Sequence, residues 1–343
     1  MSSPSAATAP STQLARTLVS IVVTNYNYGR YLRSSIDSAL AQTWPHIEVI
    51  VVDDGSTDDS REIIESYGTR IAPVLKPNGG HGSAVNAGFA ASRGEIVMFL
   101  DADDELLPNV VDQVVKAWRP GVAKIQFQLE LIDERGHPLG TRVPSFDGFV
   151  PNGNVRDRIV RFGECPSAPS SGNAYARTAL SRLMPLDESI WIQAAEKSLV
   201  FLTPFFGEVV SLRAPLGRYR IHAANDSRFK GRHLEALHRR LSAAYFVPET
   251  ICNIAAAKGI DLNLGVLSST SRRIKMRITS LRLDPRTHPI AGDTRLGLMV
   301  KGIRASIREP DLSLRIRASQ ILWFVLMAVA PMAIVSRLIA PER

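Results

Sequence analysis

Cysteine is nearly absent from this chain of 343 residues, which holds only Cys165 and Cys252. The two lie far apart in the sequence and form no CxxC pair. The sequence therefore predicts neither a disulfide framework nor a cysteine zinc site, and it favours a reducing compartment.

Several signature motifs are missing as well. No GxxxxGK[ST] occurs, so P-loop chemistry is excluded, and "GGHGSAVNAG" is not the GxGxxG of dinucleotide-binding folds. Residues 1–16, "MSSPSAATAPSTQLAR", contain no apolar segment after a charged start and so do not resemble a secretory signal. Their Ser, Ala, Thr and Pro content predicts a disordered leader.

Positive charge is unevenly distributed. Residues 229–343 contain 19 Lys and Arg against 8 Asp and Glu, whereas residues 1–228 contain 22 against 25. This asymmetry favours an anionic partner for the C-terminal third, either a membrane surface, nucleic acid or an acidic acceptor; the alternative is a set of solvated helix faces. No recognised nucleic-acid-binding module is present, and no nucleic acid is expected.

Apolar strands alternate with helical patterns over the first third of the chain. Residues 18–24, 47–52, 71–75 and 96–100 read as strands, and helices are predicted between them and at 108–118. This order predicts βαβ units and a mainly parallel sheet, in which ligands bind beyond the carboxyl ends of the strands. Three strands end in polar residues, which places those residues along one rim.

Four carboxylates follow the strand at 96–100. In extended backbone Asp101 and Asp103 point to the same side and Asp104 points away. Converging carboxylates are costly unless a cation lies between them, and Mg²⁺ or Mn²⁺ is the natural occupant. The alternative is a solvated acidic turn that caps the helix after Pro108.

Taken together, "VSIVVTNYNYGRYLRSSIDSALAQTWPHIEVIVVDDGSTDDS" and "NAGFAASRGEIVMFLDADD" resemble the N-terminal half of a family 2 glycosyltransferase with the GT-A fold. The resemblance is strong over residues 18–118 and traceable to about residue 228. It implies an α/β, Rossmann-like, mainly parallel sheet flanked by helices, to which this chain adds a C-terminal helical extension. The predicted organisation is a leader at 1–16, the GT-A domain at 17–228, a basic helical extension at 229–310 and an apolar helix at 311–343.

The resemblance implies a set of site residues. The positions that match donor-binding residues are Thr24, Asn25, Tyr26, Asp53, Asp54, Asn86, Asp101, Asn173 and His222, and those that match metal ligands are Asp103 and Asp104. Among them, Asp54 matches the position that bonds the base, usually uracil, with Asp53 as its alternate. Asp101 is expected toward the ribose and diphosphate and Asp103 on the metal, a role that Asp104 shares or takes over.

Structural alternatives exist for several of these residues. Asp53 and Asp54 also suit turn and helix-cap chemistry, and helix packing explains Gly88 as well as proximity to the donor does. Asn173 either contacts the donor sugar or bonds a loop backbone. His222 either contacts the diphosphate or the metal, or is structural.

The resemblance also implies a carboxylate base after "LDESI", and Glu196 is the suitable residue there. Related sequences usually have Asp at this point, whereas this chain has Ala195 followed by Glu196. The alternative is a helix-surface glutamate, and Asp187 and Glu188 are the next candidates for the base. A QxxRW motif is absent, which favours transfer of a single sugar over polymer synthesis.

The resemblance implies a metal-dependent inverting glycosyltransferase that moves one sugar from a nucleotide-diphospho-sugar, which in the family is usually UDP-linked, to an acceptor hydroxyl. The acceptor is expected to be a glycan or a lipid-linked molecule. The reaction is expected to belong to the synthesis of a cell-envelope glycan or glycolipid. The alternative is a catalytically degenerate GT-A domain that acts as a binding or scaffold module. A sugar nucleotidyltransferase would need a Gly-rich, Arg-containing loop after the first strand, which "TNYNYGR" lacks.

An apolar run occurs near the C-terminus. Residues 321–335, "ILWFVLMAVAPMAIV", are uncharged, and arginines flank them. The run is shorter than the about 20 residues that a spanning helix needs, and Pro331 is expected to kink it. The sequence favours membrane association, with a cytoplasmic protein held peripherally on the inner face of the plasma membrane. The alternative is a helix docked on the protein's own core or on a partner.

Overall fold

The computed structural model describes residues 16–146, 149–188, 196–222, 247–310 and 312–339. The chain divides into two compact units. The first comprises residues 1–146, 151–154 and 167–220, and the second comprises residues 147–150, 155–166 and 221–343. The second unit thus takes residues 155–166 from within the segment 17–228. All of the predicted leader except Arg16 lies outside the described residues.

Four parallel strands open the first unit. They are β1 (Val19–Asn25), β2 (Ile47–Asp54), β3 (Ala72–Lys76) and β4 (Ile96–Asp101), in the order β3-β2-β1-β4. Strands β1, β2 and β4 are rich in Val and Ile and almost wholly buried, as expected for strands covered on both faces. The predicted parallel half of the sheet is confirmed.

Helices connect these strands, as the alternation predicted. They are α1 (Gly29–Leu40), α2 (Ser60–Glu65) and α3 (His81–Ala91), with α4 (Val110–Ala117) after β4. Leu32, Ile36 and Ala39 share the buried face of α1. In α4, Asn109 takes the cap position, so Pro108 precedes the helix.

The rest of the sheet is mixed. It contains β5 (Glu105–Leu106), β6 (Val122–Ile132), β7 (Pro138–Val143), β8 (Asn173–Ala176) and β9 (Glu208–Arg220), and it continues from β4 in the order β8-β6-β9-β5, with β7 on β6. Strand β8 is antiparallel to both β4 and β6, and β9 is parallel to β6. Together these strands confirm a mainly parallel sheet that turns antiparallel at one side.

The sequence of residues 144–172 is rich in Pro and Gly and predicts a loop, which is wrong for part of the segment. Helix α5 (Arg156–Phe162) lies there and ends at Gly163, whose φ of 72° is the left-handed conformation that glycine adopts readily. This short helix, which the Pro and Gly content of the segment did not predict, packs on the helix Leu264–Ser268 of the second unit. Two further helices of the described chain belong to the first unit, α6 (Arg177–Leu180) and α7 (Glu196–Leu202).

The second unit is helical in its described part. After α5 it contains α8 (247–257), α9 (Leu264–Ser268), α10 (Ser271–Leu283), α11 (Arg295–Arg308), α12 (Leu314–Val329) and α13 (Met332–Ile339). Its core joins Ile278, Leu298, Phe324 and Val335. A Cβ on Gly302 would lie 2.4 Å from the Phe324 ring, so glycine allows α11 and α12 to approach closely.

The apolar run at 321–335 is divided between two helices. Helix α12 ends at Val329, Pro331 follows, and α13 begins at Met332, so the proline, which was expected to kink one helix, lies between two helices. Across the described part of the chain, no helix combines the length and the apolar character needed to cross a bilayer.

Candidate active site

The carboxyl ends of β1, β2 and β4 meet at one rim of the sheet. Thr24 lies opposite Asp101 in the register of β1 and β4, and Asn25 lies opposite Asp53 in that of β1 and β2. The polar residues that end the three strands are therefore neighbours, as predicted. Thr24 and Asn25 are buried, whereas Tyr26, one residue beyond, is 47% exposed.

Asp53 is fully buried and surrounded by donors. Its Oδ1 accepts a hydrogen bond from Asn25 Nδ2 at 3.0 Å. Its Oδ2 accepts from Ser56 N at 3.1 Å and from Arg61 Nε at 3.0 Å. Asp53 therefore ties the loop after β2 to the end of β1, which is the turn chemistry considered for it.

Asp54 holds a different loop, the one that leads into α3. Its Oδ1 accepts from Lys76 Nζ at 2.5 Å and from Gly79 N at 3.0 Å, and its Oδ2 accepts from Gly80 N at 2.7 Å. Gly80 has a φ of 84°, a conformation that glycine adopts without strain. The Asp54 carboxylate thus orients the loop that lies directly before α3.

The acidic residues after β4 converge. One carboxylate oxygen from each of Asp101, Asp103 and Asp104 lies within 4.8 Å of the others. The prediction that Asp104 points away is wrong, because the backbone turns here: Asp104 N donates to Asp101 O at 2.9 Å. Three carboxylates are a hard, anionic oxygen set of the kind that Mg²⁺ and Mn²⁺ prefer, and their mutual repulsion is relieved by such an ion.

Asp104 is the most constrained of the three. Its Oδ2 accepts from Ser171 Oγ at 2.6 Å and its Oδ1 from the Arg220 backbone N at 2.9 Å, and the residue is fully buried. Burial raises the pKa of Asp104 well above its ordinary value, and the neighbouring charges of Asp103 and Asp101 raise it further. Both oxygens of Asp104 therefore accept hydrogen bonds from distant parts of the first unit.

Sequence reasoning missed the role of Arg220, which holds the acidic turn from the end of β9. Its Nε donates to Asp103 O at 2.9 Å and its Nη2 donates to Glu105 Oε1 at 2.5 Å. The guanidinium also lies over the Tyr31 ring, 4.9 Å from the centroid. The sequence showed only an arginine two residues before His222. Its contact with the acidic turn depends on the long-range pairing of β9 with β5, which the sequence did not reveal.

Ser171 and His81 are two further residues of the site. Besides its bond to Asp104, Ser171 Oγ accepts from Asp101 N at 3.1 Å, so a single hydroxyl bridges the acidic turn. His81 is the first residue of α3, and its Nε2 lies 3.8 Å from Asp101 Oδ1. Ser171 lies two residues before the predicted Asn173, in the stretch "SGNAY", and nothing in the sequence connected "GGH" with Asp101.

Asn86 lies on α3, and its side chain forms hydrogen bonds with the segment 186–188, which precedes the predicted base Glu196. Its amide bonds both N and O of Leu186, at 2.8 and 2.9 Å, and Nδ2 donates to Glu188 Oε1 at 3.0 Å. The hydrogen bond from Asn86 lowers the pKa of Glu188, and a hydrogen bond from Ser83 lowers it further. A lower pKa makes Glu188 a weaker base than an ordinary glutamate. Its role as the alternative base is correspondingly less favoured.

Three other predicted residues are placed as follows. Asn173 is fully buried, and its Nδ2 donates to Ala168 O, Pro169 O and Ser170 O at 3.3, 2.7 and 3.3 Å, which is the loop-bonding alternative. His222 is half-buried and follows the end of β9 by two residues. Glu196 is the first residue of α7, and its side chain, together with residues 189–195, lies outside the described part of the chain.

Gly88 faces the sheet from α3. A Cβ at this position would lie 2.2 Å from Val22 Cγ1 and 3.2 Å from Val52 Cγ2. The close approach of helix and strand therefore requires glycine, as the packing alternative predicted.

Part of the chain is similar to known glycosyltransferases. The family model described as "Glycosyl transferase family 2" matches residues 20–183. An uncharacterized glycosyltransferase of Nostoc sp. is 38% identical over 214 residues, which cover 61% of this chain and 66% of the relative. An uncharacterized glycosyltransferase of Rickettsia prowazekii is 42% identical over 125 residues, which cover 36% of this chain and 39% of the relative. The chain thus matches less than two thirds of the length of these relatives.

Among solved structures, S. aureus TarS 1–349 in complex with UDP-GlcNAc has a similar fold. Its TM-score is 0.52 at 16% sequence identity, and the match covers 90% of this chain and 87% of TarS 1–349. A match at this identity shows the fold alone, and that fold is the GT-A arrangement expected from the sequence.

Proposed function

We propose that this protein is an inverting glycosyltransferase that moves one sugar from a nucleotide-diphospho-sugar to an acceptor hydroxyl, since residues 20–183 match the family model described as "Glycosyl transferase family 2". The observation that carries the proposal is the convergence of Asp101, Asp103 and Asp104 at the rim where β1 and β2 also end. This rim lies within the family-matched segment. It is also the edge at which α/β sheets of this kind bind ligands.

The proposed donor is a UDP-sugar. The support is the fold shared with TarS, whose structure contains UDP-GlcNAc. In this chain Asn25 Oδ1 is buried and has no hydrogen-bond donor among the described residues, so it can accept one from a bound base or ribose. Tyr26, exposed at the same rim, offers a ring surface on which a base can stack.

The proposed cofactor is Mg²⁺ or Mn²⁺ at this cluster of three carboxylates, with Asp103 as its ligand, a role that Asp104 shares or takes over, and Asp101 toward the ribose and diphosphate. When bound, such an ion supplies positive charge that stabilises the departing nucleoside diphosphate. The chain itself keeps the ligands in place, because Ser171 and Arg220 fix both oxygens of Asp104 and thereby the turn that presents the other two carboxylates. One oxygen from each of the three carboxylates lies within 4.8 Å of the others, which supports a divalent ion at this turn.

Glu196 is the proposed base. As the acceptor hydroxyl attacks the anomeric carbon, its proton passes to the Glu196 carboxylate, and the bond to the nucleoside diphosphate breaks on the opposite face, which inverts the anomeric centre. Glu188 is less suited, because hydrogen bonds lower its pKa. A glutamate reaches one methylene further than the aspartate that is usual at this point, so the acceptor is expected to lie slightly farther from α7.

The acceptor proposed is a glycan or a lipid-linked glycan of the cell envelope. The protein would then work in the cytoplasm, held peripherally on the inner face of the plasma membrane. The support is the excess of Lys and Arg over Asp and Glu in residues 229–343 together with the apolar character of α12 and α13.

The second candidate is a nucleotide-sugar-binding module without catalysis, favoured by Ala195 and Glu196 at the expected position of the base. UDP release from UDP-sugars with Mn²⁺ and a panel of acceptors separates the two. If the protein is the enzyme, UDP release should depend on the metal. The rate of release should fall by a factor of about 10² to 10⁴ in Glu196→Ala, and release should be lost in Asp103→Ala. Asp112→Ala, which removes an ion pair with Lys116 on α4, is the matched control and should retain activity. Nucleotide binding without release from any donor would favour the binding module.

A further inference from the structure

Helix α11 carries apolar residues on two faces. Leu298, Gly302 and Ser306 are buried, and Gly302 meets the Phe324 ring of α12. On the opposite face Leu296 is 61%, Val300 41% and Ile307 58% exposed. Residues spaced in this way share one side of a helix. Helix α11 therefore presents an outward stripe of large apolar side chains, which we call the α11 stripe (Leu296, Val300, Ile307).

Helix α12 repeats the arrangement. Phe324, Met327 and Ala328 are buried in the core of the second unit. Another side of the helix exposes Leu314 by 81%, Leu322 by 58% and Val329 by 64%, and these three form the α12 stripe. Single exposed hydrophobic residues are ordinary, but a set of three on each of two helices that pack together favours an interaction surface.

The charge beside the α11 stripe has one sign. Within Arg295–Arg308 there are four cations and no carboxylate. Lys301, Arg304 and Arg308 are exposed and occupy the sector of the helix between the stripe and the buried face. The next carboxylate, Glu309, accepts from Ser271 Oγ at 2.9 Å. A helix with an apolar side, a cationic edge and no acidic residue is typical of segments that lie in an anionic membrane interface.

A cavity between α10 and α12 adds two further cations. It has a volume of about 360 Å³, and its lining includes Lys275, Arg315 and Trp323. Lys275 Nζ lies 5.6 Å from the centroid of the Trp323 ring. Burial lowers the pKa of Lys275, and the nearby charge of Glu309 partly opposes that. Ammonium, guanidinium and indole groups together suit a lipid headgroup phosphate and its boundary with the acyl chains.

We propose that α11 and α12 lie flat on an anionic lipid surface, with their apolar stripes in the acyl boundary and their cations among the headgroup phosphates. A second copy of the chain is disfavoured as the occupant, because it would bring the cationic edges of two α11 helices together. The inference deepens the peripheral location proposed above and does not depend on the transfer reaction.

Vesicle co-sedimentation of the full-length chain tests the proposal. The probes are vesicles of phosphatidylcholine alone and vesicles that also contain phosphatidylglycerol. The stripe variant Val300→Ser/Ile307→Ser and the charge variant Lys301→Gln/Arg304→Gln should each reduce binding to the anionic vesicles by at least about tenfold. The control Leu139→Ser/Val160→Ser removes side chains of similar exposure, 44% and 41%, and should bind as the wild type does.

The outcomes are distinct. Wild-type binding that needs phosphatidylglycerol and is weakened in both variants supports the docking surface. Absence of binding to either vesicle, equal binding to both, or an equal loss in the control overturns it. A wild-type dimer in solution that the stripe variant dissociates, without vesicle binding, would identify a second copy as the occupant and overturn it too. UDP release with a water-soluble acceptor, measured on the same preparations, reports separately on the transfer reaction.

Discussion

At the scale of single residues, the acidic turn depends on an arginine from a distant strand. Arg220 binds the backbone of Asp103 and the carboxylate of Glu105 with different nitrogens of one guanidinium, and its own backbone N binds Asp104. A lysine has a single nitrogen and cannot reproduce this fork. Arg220 therefore positions the acidic turn whose carboxylates are the proposed metal ligands.

We expect Arg220→Lys to weaken the apparent affinity for Mn²⁺ in the UDP-release assay and to lower the free energy of unfolding by about 1–3 kcal/mol, because buried acceptors lose their donors. Arg218→Lys is the matched control, since Arg218 Nη1 also bonds Glu105, at 3.1 Å, from a more exposed position. Equal Mn²⁺ affinities in the two variants would contradict the positioning role.

The residues of the site differ in how far sequence could identify them. Asp101 and Asp103 follow an apolar run and a strand end, both of which are local patterns, so their place on the rim was predictable. The burial of Asp104 depends on Ser171 and Arg220, which lie 67 and 116 residues further along the chain. Such pairing is set by the order of strands in the sheet, and no local spacing reveals it.

At the scale of elements, strand positions were predicted well and their antiparallel neighbours less well. The Val- and Ile-rich strands β1, β2 and β4 need no partner to be recognised, because burial on both faces makes them continuously apolar. Helix α5 was missed, since glycine and proline around it resemble a loop. Asn173 and Asn86 were matched to the donor, but their amides bond loop backbone, a choice that depends on the fold.

The contact between α3 and the sheet can be tested by substitution. Gly88→Ala places a Cβ 2.2 Å from Val22 Cγ1, and we expect it to lower the free energy of unfolding by about 1–3 kcal/mol. Val22→Ala removes the opposing methyl group, so the double variant should lose less than the sum of the single variants. Denaturant unfolding of the four proteins gives the coupling free energy. Strict additivity would show that Val22 does not limit the approach of α3.

At the scale of the whole molecule, the two compact units have separate cores. The core of the first unit includes Ile21, Val51 and Ile125, and that of the second includes Ile278 and Phe324. The acidic turn belongs to the first unit, and the α11 and α12 stripes belong to the second. Ligands of the two surfaces are therefore expected to stabilise different parts of the chain.

Calorimetric unfolding with Mn²⁺ and UDP makes this expectation measurable. Ligands that bind only the folded first unit should stabilise it by about 2.7 kcal/mol at 100 times their Kd, because binding shifts the folding equilibrium by mass action. Asp103→Ala removes a predicted metal ligand and should abolish the shift, whereas Asp112→Ala should keep it. Where the two units unfold in separate calorimetric transitions, only the transition of the first unit should shift to higher temperature. A shift that persists in Asp103→Ala would place the Mn²⁺ and UDP site away from the acidic turn.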